Sequence, residues 1–453
     1  MSKKFFILLQ IIILLNIILS EKILKIPFKF YSTSQLFPNQ FHPVTNKFMS
    51  QILIEISIGT PPQKLNCSLN LNSFYSFFLS HKIPDITLPS YFNKSDSKTY
   101  NCTEEQSYYW KGDFDMAETF NDNIQIYSLN NKNIINDIFT FLLIDGLGYD
   151  VPNEFYAPGI IGLRLKRENN MKQINENRFI YQIKKYGLTD TEIFYFDFNK
   201  NDENGYFVVG EDIFNNDNYI RINVGNLPMP DLGPEWSFNF DNIFYGDKEI
   251  IGGNDCLIKS EFGLIVGPYY YENIIKEFFK NENECTLNYT KMGYATFKYY
   301  SCEEKFDESK MEDLTFVLRT INYNFTFKGK DLFYIENNKK YFKILFLFYQ
   351  NQYWYFGREF LKKYKLRFDT DRKSFYIPLN IDNKTDNNNG KKASLFKRTY
   401  FWIIVALSLF VIILIIFIFF YLKKYPRKKR ANELNDDDYD YTQKDYNINE
   451  EEK

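Results

Sequence analysis

The chain has 453 residues, 45% of them hydrophobic, which is enough to bury a large core in two packed lobes. Its formal net charge of −2 gives no electrostatic reason to expect a nucleic-acid partner. The chain contains only 2 histidines and no Cys-x-x-Cys pair, which argues against Ser-His or Cys-His catalysis and against a zinc site. We therefore expect no metal and no other cofactor.

The first residues have the features of a secretory signal peptide, which we assign to residues 1–20. Lys3 and Lys4 precede a largely apolar run from Phe5 to Leu19, and Ser20 stands before the predicted cleavage site. The chain that follows is therefore predicted to enter the secretory pathway.

A strand, a turn and a second strand are predicted between residues 52 and 69. Isoleucine recurs at the strand period of two, at Ile52, Ile54, Ile56 and Ile58. Gly59-Thr60-Pro61-Pro62 then predicts a turn, because proline cannot donate to a strand ladder and glycine tolerates unusual backbone angles. Lys64 to Leu69 is predicted as the second strand.

This hairpin resembles the N-terminal hairpin of the pepsin-like aspartic peptidases, in which Ile-Gly-Thr-Pro-Pro-Gln is followed seven residues later by Asp-Thr-Gly-Ser. The same distance here leads to Asn70-Leu71-Asn72-Ser73. The resemblance implies an all-β, bilobal pepsin-like (acid protease) fold. It also makes residues 21–47 a prosegment-like stretch, because Lys22 to Phe28 resembles the opening strand of a pepsin prosegment.

The first lobe is assigned to residues 48–214. Tyr109-Trp110-Lys111-Gly112 resembles the flap hairpin that closes over a bound peptide, and a plain surface hairpin is the alternative. Ala157 to Leu163 resembles a hydrophobic segment that ends in glycine and leucine in the family. Phe194 to Phe198 and Gly205 to Gly210 resemble the strand pair that ends this lobe.

The second lobe, residues 215–379, repeats this plan. Leu257 to Pro268 aligns without a gap on the family's Ile-Val-Asp-Thr-Gly-Thr-Ser-Leu-Leu-Thr-Gly-Pro, and this places Lys259 at the second aspartate. Trp354 to Leu361 resembles Trp-Ile-Leu-Gly-Asp-Val-Phe-Leu, the counterpart of the glycine segment in the first lobe. The resemblance therefore implies an internal twofold repeat.

The residues at the two catalytic positions do not fit the family's chemistry. An aspartic peptidase needs two carboxylates that share one proton, and the aligned positions here carry Asn70 and Lys259. An amide cannot accept the proton of the attacking water, and an ammonium only donates. Nearby acids do not replace them, since no Asp or Glu lies between Glu55 and Asp85, and Glu261 comes two residues late.

The neighbours of these positions also differ from the family. Leu71 replaces a threonine whose hydroxyl braces the two loops, Asn72 and Glu261 replace glycines, and only Ser260 keeps a hydroxyl at a bracing position. The candidate residues of the cleft and flap are Leu71, Asn72, Ser73, Tyr109, Ser260 and Glu261.

Two hypotheses describe the role of Lys259. In the first, which we call the drift hypothesis, the residue arose by evolutionary drift and has no function, and its side chain reaches water through the cleft or bonds to Asn70. In the second, it is the cationic floor of a peptide-sized groove and holds an acidic side chain or a C-terminal carboxylate, unless Glu261 neutralises it.

The C-terminal part of the chain predicts a membrane anchor. Residues 380–399 form a polar stalk, and residues 400–422 are apolar and uncharged over a length that spans a bilayer. Basic residues follow at once, so residues 423–453 are predicted as a cytoplasmic tail of a type I membrane protein. The ectodomain is then lumenal or extracellular, at the cell surface or in the endolysosomal or vacuolar system.

The five cysteines and six sequons all precede this anchor. Cys285 and Cys302 are the expected disulfide, because the loop between them is short, and at least one other thiol stays without an intramolecular partner. The candidate glycosylation sites are Asn66, Asn93, Asn101, Asn288, Asn324 and Asn383.

The preferred interpretation is a membrane-anchored, non-catalytic member of the family whose interlobe cleft binds a peptide or protein. One alternative is an active aspartic endopeptidase of the secretory pathway, as the resemblance alone implies. A second alternative is a glycosylated surface-coat protein. The oligomeric state is not predicted.

Overall fold

A computed structural model describes the greater part of the predicted ectodomain. The described residues are 22–31, 43–81, 90–106, 114–127, 133–147, 157–165, 177–199, 204–210, 219–225, 235–280, 282–292 and 295–379. All of them belong to one compact unit. The predicted signal peptide, stalk, membrane span and tail lie outside the described residues, as do Tyr109 and Asn383.

The described chain is built mainly from strands, which confirms the predicted all-β class. The strands of the first part are β1 (Leu24–Tyr31), β2 (Gln51–Ile58), β3 (Gln63–Asn70), β4 (Phe77–Leu79), β5 (Asn101–Gln106), β6 (Phe114–Tyr127), β7 (Asn133–Leu147), β8 (Gly159–Gly162), β9 (Ile193–Phe198), β10 (Asn204–Val209) and β11 (Tyr219–Asn223). The predicted hairpin is β2 and β3, and its isoleucines are all buried. Gly59 starts its turn at a φ of +86°, which favours glycine there.

The second part of the chain is also rich in strands. These are β12 (Ser237–Asn239), β13 (Asn242–Tyr245), β14 (Lys248–Glu249), β15 (Asp255–Ile258), β16 (Ile265–Gly267), β17 (Cys285–Met292), β18 (Ala295–Glu303), β19 (Leu314–Leu318), β20 (Tyr323–Phe327), β21 (Phe333–Glu336), β22 (Lys339–Phe342), β23 (Ile344–Leu347), β24 (Trp354–Phe356), β25 (Arg367–Asp369) and β26 (Ser374–Pro378).

Short helices connect or cover the strands. Among the described residues, the α-helices are α1 (Pro43–Met49), α2 (Phe179–Lys185), α3 (Tyr269–Lys280) and α4 (Arg358–Tyr364), and 3-10 turns occupy Lys94–Asp96, Glu308–Lys310, Arg319–Ile321 and Gly329–Leu332. In the part of the chain that the structure describes, no helix has the length and apolar character needed to cross a bilayer.

The sheet topology confirms the predicted internal repeat. In the first lobe, β3 pairs parallel with β8, β8 antiparallel with β4, and β4 parallel with β7. In the second lobe, β15 pairs parallel with β24, β24 antiparallel with β16, and β16 parallel with β23. The two glycine-containing hydrophobic segments, β8 and β24, therefore occupy equivalent places, each beside the strand that leads to a catalytic position.

One long sheet joins the two predicted lobes. Its order is β11-β26-β25-β9-β10-β1-β2-β3-β8-β4-β7-β6-β5, so three strands from the predicted second lobe extend a sheet of the first. Within it, β1 lies between β10 and β2, with Ile26 and Phe28 buried. The opening strand predicted for the prosegment-like stretch is therefore present as β1.

The predicted disulfide is confirmed. Cys285 and Cys302 stand opposite each other on the antiparallel strands β17 and β18 and are bonded. Cys67 and Cys256 are buried thiols, and burial raises the pKa of both. Cys67 lies in β3, three residues before Asn70, and Cys256 lies in β15, three residues before Lys259.

Candidate functional site

The two positions predicted to correspond to the family's catalytic aspartates stand at the ends of equivalent strands. Asn70 is the last residue of β3, and its carbonyl accepts the N–H of Leu163 at 2.9 Å. Lys259 directly follows β15, and its N–H donates to the carbonyl of Phe356 at 2.9 Å. Each loop is thus fixed by the parallel strand beside it, as the repeat requires.

The hydroxyl of Ser260 ties the two loops together. It accepts the N–H of Leu71 at 2.9 Å and donates to the carbonyl of Leu69 at 3.1 Å, and Ser260 is fully buried. The bracing role predicted for Ser260 is therefore visible in its contacts. Leu71 is buried as well, but it has no hydroxyl to brace the loops from the first-lobe side.

Asn70 is engaged within its own loop. Its Oδ1 accepts the N–H groups of Asn72, at 2.7 Å, and of Ser73, at 2.9 Å. The hydroxyl of Ser73 in turn donates to the carbonyl of Tyr75 at 2.8 Å. The Asn70 amide is therefore an acceptor for the turn, and among the described residues it makes no hydrogen bond with Lys259, contrary to one form of the drift hypothesis.

Asn72 links the lobes through its side chain. Its Oδ1 accepts a hydrogen bond from the ammonium of Lys259 at 2.8 Å, and its Nδ2 donates to Oε1 of Glu261. A glycine at this position, as in the family, has no atoms that could make either contact. The change from glycine to asparagine thus creates the contact that engages Lys259.

Sequence reasoning did not identify two further charged residues, Arg164 and Glu235. Arg164 Nη2 lies 3.3 Å from Glu235 Oε1, and Lys259 Nζ lies 3.6 Å from Glu235 Oε2. The side chains of Arg164, Glu235 and Lys259 are 3%, 7% and 14% exposed, so this is a buried cluster. We call Asn72, Arg164, Glu235, Lys259 and Glu261 the interlobe network.

A signal for both missed residues is present in the sequence. Arg164 follows the hydrophobic segment of β8, and Glu235 directly precedes Trp236, at the start of a segment in which aromatic and small polar residues alternate. The indole of Trp236 donates to the carbonyl of Leu163 at 2.8 Å, and this contact brings the two charged neighbours together. Charges next to buried strands are rarely tolerated without a partner.

The interlobe network is balanced in charge. Two cations, Arg164 and Lys259, face two carboxylates, Glu235 and Glu261. Burial raises the pKa of Glu261, and the ammonium of Lys259 opposes this rise. The ammonium of Lys259 is therefore compensated, which argues against an uncompensated cationic floor when both glutamates are ionised.

Aromatic side chains extend from the interlobe network to the surface of the second lobe. The ring of Tyr355 packs on Phe262 at 6.1 Å between centroids, and burial, with the nearby Tyr349 and Glu235, raises the pKa of Tyr355 to about 12. Phe348 and Tyr349 are 64% and 63% exposed. We call Phe262, Phe348, Tyr349, Tyr353 and Tyr355 the aromatic strip. Phe348 belongs to it as the chain neighbour of Tyr349, and its ring packs on Tyr289 at 6.3 Å between centroids.

The exposed end of the aromatic strip is held by a buried amide. The Asn351 Nδ2 donates to the carbonyls of Gly267, at 3.2 Å, and Tyr353, at 2.6 Å, and the carbonyl of Asn351 accepts the N–H of Tyr269 at 2.8 Å. A fixed loop presents its aromatic rings at a low entropic cost, which is typical of binding surfaces.

The described sequons differ in accessibility. Asn101 and Asn324 are exposed, whereas Asn66, Asn93 and Asn288 are half-buried. The amide of Asn93 donates to Asp96, and that of Asn288 donates to Thr286 and Ser301. Glycan attachment at Asn93 or Asn288 would break these bonds, so Asn101 and Asn324 are the better candidates among the described sequons.

Replacing Ser260 with alanine is expected to lower the free energy of unfolding by about 1–3 kcal/mol, because the buried N–H of Leu71 loses its acceptor. Urea unfolding of the purified chain measures the change. Ser260→Thr, which keeps the hydroxyl, is the matched control. An alanine variant as stable as the parent would show that the hydroxyl does not brace the loops.

The comparison with protein families agrees with this geometry. The family model described as eukaryotic aspartyl protease matches residues 51–377, more than half of the chain. No curated protein matches the chain. Within the described residues, no group of three or more His, Cys, Asp and Glu is placed to hold a metal ion.

Proposed function

The chain belongs to the eukaryotic aspartyl protease family, and from this premise we propose that it is a non-catalytic member whose interlobe cleft binds a peptide or protein. The observation that carries the proposal is the engagement of Asn70 and Lys259. The amide oxygen of Asn70 accepts hydrogen bonds from backbone N–H groups of its own turn, and the ammonium of Lys259 is bound by Asn72 and Glu235.

Proteolysis by this family requires a carboxylate that accepts a proton from water and a second that donates one to the developing oxyanion. The side chains at the two positions supply neither group. Glu235 and Glu261 are carboxylates, but they are ion-paired or hydrogen-bonded within the interlobe network and lie beside the catalytic positions, not on them.

The aromatic strip supports binding as the retained activity. Phe348 and Tyr349 are exposed on a fixed loop, and the strip continues from there to Tyr355 beside the interlobe network. Aromatic groups that are held rigidly contribute much of the energy in peptide and protein interfaces. The predicted signal peptide and the span at 400–422 would hold this surface on the lumenal or extracellular side of a membrane.

The test of this proposal is a cleavage and binding assay with the purified chain. An unfolded protein that is added as substrate should stay uncleaved at every pH from about 2 to 7, the range over which paired carboxylates titrate. Immobilised peptide arrays should capture the chain, and Phe348→Ser with Tyr349→Ser should reduce capture. A pepsin-like enzyme in the same buffers is the positive control.

Cleavage that a statine-type inhibitor blocks would overturn the proposal in favour of an active endopeptidase. Capture that is unchanged in the Phe348→Ser, Tyr349→Ser variant would show that the aromatic strip is not the binding surface. Ile335→Ser is the matched control for surface hydrophobicity, because Ile335 is 63% exposed on β21 and is not part of the strip.

A further inference from the structure

Two carboxylate oxygens of the interlobe network lack a hydrogen-bond donor. Oε2 of Glu235 and Oε2 of Glu261 are both buried, and neither accepts a hydrogen bond from the described residues. Oε2 of Glu235 has only the longer contact with Lys259 Nζ, at 3.6 Å. A buried carboxylate oxygen that accepts no hydrogen bond is costly mainly because its charge is poorly solvated, and protonation of the carboxylate removes that charge.

The groups that face Glu261 are of both signs. The second lobe contributes the ammonium of Lys259 and the carboxylate of Glu235, and Glu235 also lies near Tyr355. The first lobe contributes the amide of Asn72 and, on the far side of Glu235, the guanidinium of Arg164. Within this set, only Glu235 and Glu261 accept protons at acidic pH. The Glu235 carboxylate has two cations within 4 Å, whereas Glu261 has an amide as its hydrogen-bond partner.

We propose that Glu261 takes up a proton in acidic compartments and that the cleft then binds acidic peptides, which it does not favour at neutral pH. This inference rests on the proposed peptide-binding function. The proton comes from solvent and adds to Oε2 of Glu261, which becomes an O–H donor, while Oε1 stays an acceptor for the Asn72 amide. One carboxylate then faces two cations, and the interlobe network carries a single net positive charge.

The direction in which the pKa of Glu261 is shifted agrees with the uptake of a proton by this residue. Burial raises its pKa, the carboxylate of Glu235 adds to the rise, and the opposing influence of Lys259 does not cancel it. Protonation of Glu261 leaves one positive charge of the interlobe network without a compensating carboxylate. This charge is centred near Lys259, whose side chain is 14% exposed. A carboxylate within about 8 Å of such a partly shielded charge gains on the order of 1–2 kcal/mol, or about tenfold in affinity.

The experiment compares the parent chain with Glu261→Gln, which has the shape and the neutral charge of the protonated glutamic acid. Acidic and neutral peptides of equal length, recovered from the array above, are titrated at pH 5 and pH 7.5. The parent should bind the acidic peptide about tenfold more tightly at pH 5, whereas Glu261→Gln should bind it tightly at both pH values. Added salt should reduce the preference.

Glu55→Gln is the control variant, because Glu55 pairs with Lys64 on the exposed face of β2 and lies outside the interlobe network. It should keep the pH dependence of the parent. NMR titration of ¹³C-labelled glutamate carboxyls, with Glu261 assigned from the Gln variant, should show a raised pKa without any ligand.

The outcomes separate this proposal from the one it rests on. If peptides bind but the parent and Glu261→Gln share one pH profile, or if Glu261 titrates as an ordinary glutamate, the proton-dependent switch is wrong and peptide binding stands. If no peptide binds either protein at either pH, the proposed function fails and the switch fails with it.

Discussion

The double replacement Asn70→Asp, Lys259→Asp is expected to give a protein with almost no proteolytic activity, although it restores both residues of the family's catalytic pair. The reason lies in the interlobe network. Removing Lys259 leaves Arg164 as the only cation of the network, and it would then face four carboxylates, two introduced and two native. Like charges so close cannot all ionise, so the new pair would not hold the single shared proton that catalysis requires.

The geometry of the loops adds to this loss. Asn72 would still contact Glu261 across the lobes, and Leu71 would still lack the bracing hydroxyl. A displacement of about 1 Å in a catalytic group can cost about 100-fold in rate. We therefore expect the activity of the double variant to be at least about 100-fold below that of an ordinary pepsin-like enzyme.

The measurement is cleavage of a quenched fluorescent peptide from pH 2 to 7, with folding checked by circular dichroism. A chain that also carries Leu71→Thr, Asn72→Gly and Glu261→Gly is the informative comparison. It restores Asp-Thr-Gly in the first loop and Asp-Ser-Gly, with the bracing hydroxyl of Ser260, in the second, and it removes one extra carboxylate. It should be more active than the double variant. Full activity in the double variant would show that the loops kept their catalytic geometry and that two substitutions alone explain the loss.

The sequence predicted the parts of this molecule that follow from local pattern and from spacing. The hairpin of β2 and β3 is readable from alternating isoleucines and the turn residues, and its spacing locates Asn70. The ungapped match of residues 257–268 locates Lys259 and Ser260 in the same way. The Cys285–Cys302 bridge was predictable because the two cysteines are close in the chain.

The partners of Lys259 were not predictable from the sequence. Glu235 is 24 residues away from Lys259, and Asn72 and Arg164 belong to the other lobe, so only the folded backbone brings the four together. The direction of a long side chain depends on its neighbours rather than on its own residue type. The hypotheses for Lys259 named Asn70 and Glu261 as partners. The charge of Lys259 does act on Glu261, but its hydrogen bond goes to Asn72 and its ion pair is with Glu235.

Lys259→Met is expected to destabilise the chain by about 3 kcal/mol at neutral pH, because removing one member of a buried ion pair leaves the other charge uncompensated. Glu235 keeps Arg164 at 3.3 Å, but Asn72 Oδ1 loses its donor and the two glutamates repel each other across the vacated space. Urea unfolding at several pH values measures the loss. Lys25→Met, on the exposed face of β1, should change stability by no more than about 0.5 kcal/mol.

The pH dependence distinguishes this mechanism from a simple loss of packing. Without the ammonium, the folded-state pKa of Glu261 rises further above the unfolded value of 4.5, because Lys259 is the main group that holds it down. Stability linked to a raised carboxyl pKa is fully present below the unfolded value and is lost as pH rises through the folded value. The destabilisation should thus be small near pH 4 and should grow towards neutral pH, whereas lost packing would give a constant deficit. A Lys259→Met protein as stable as its parent at pH 7 would show that the ammonium is solvated rather than held by the interlobe network.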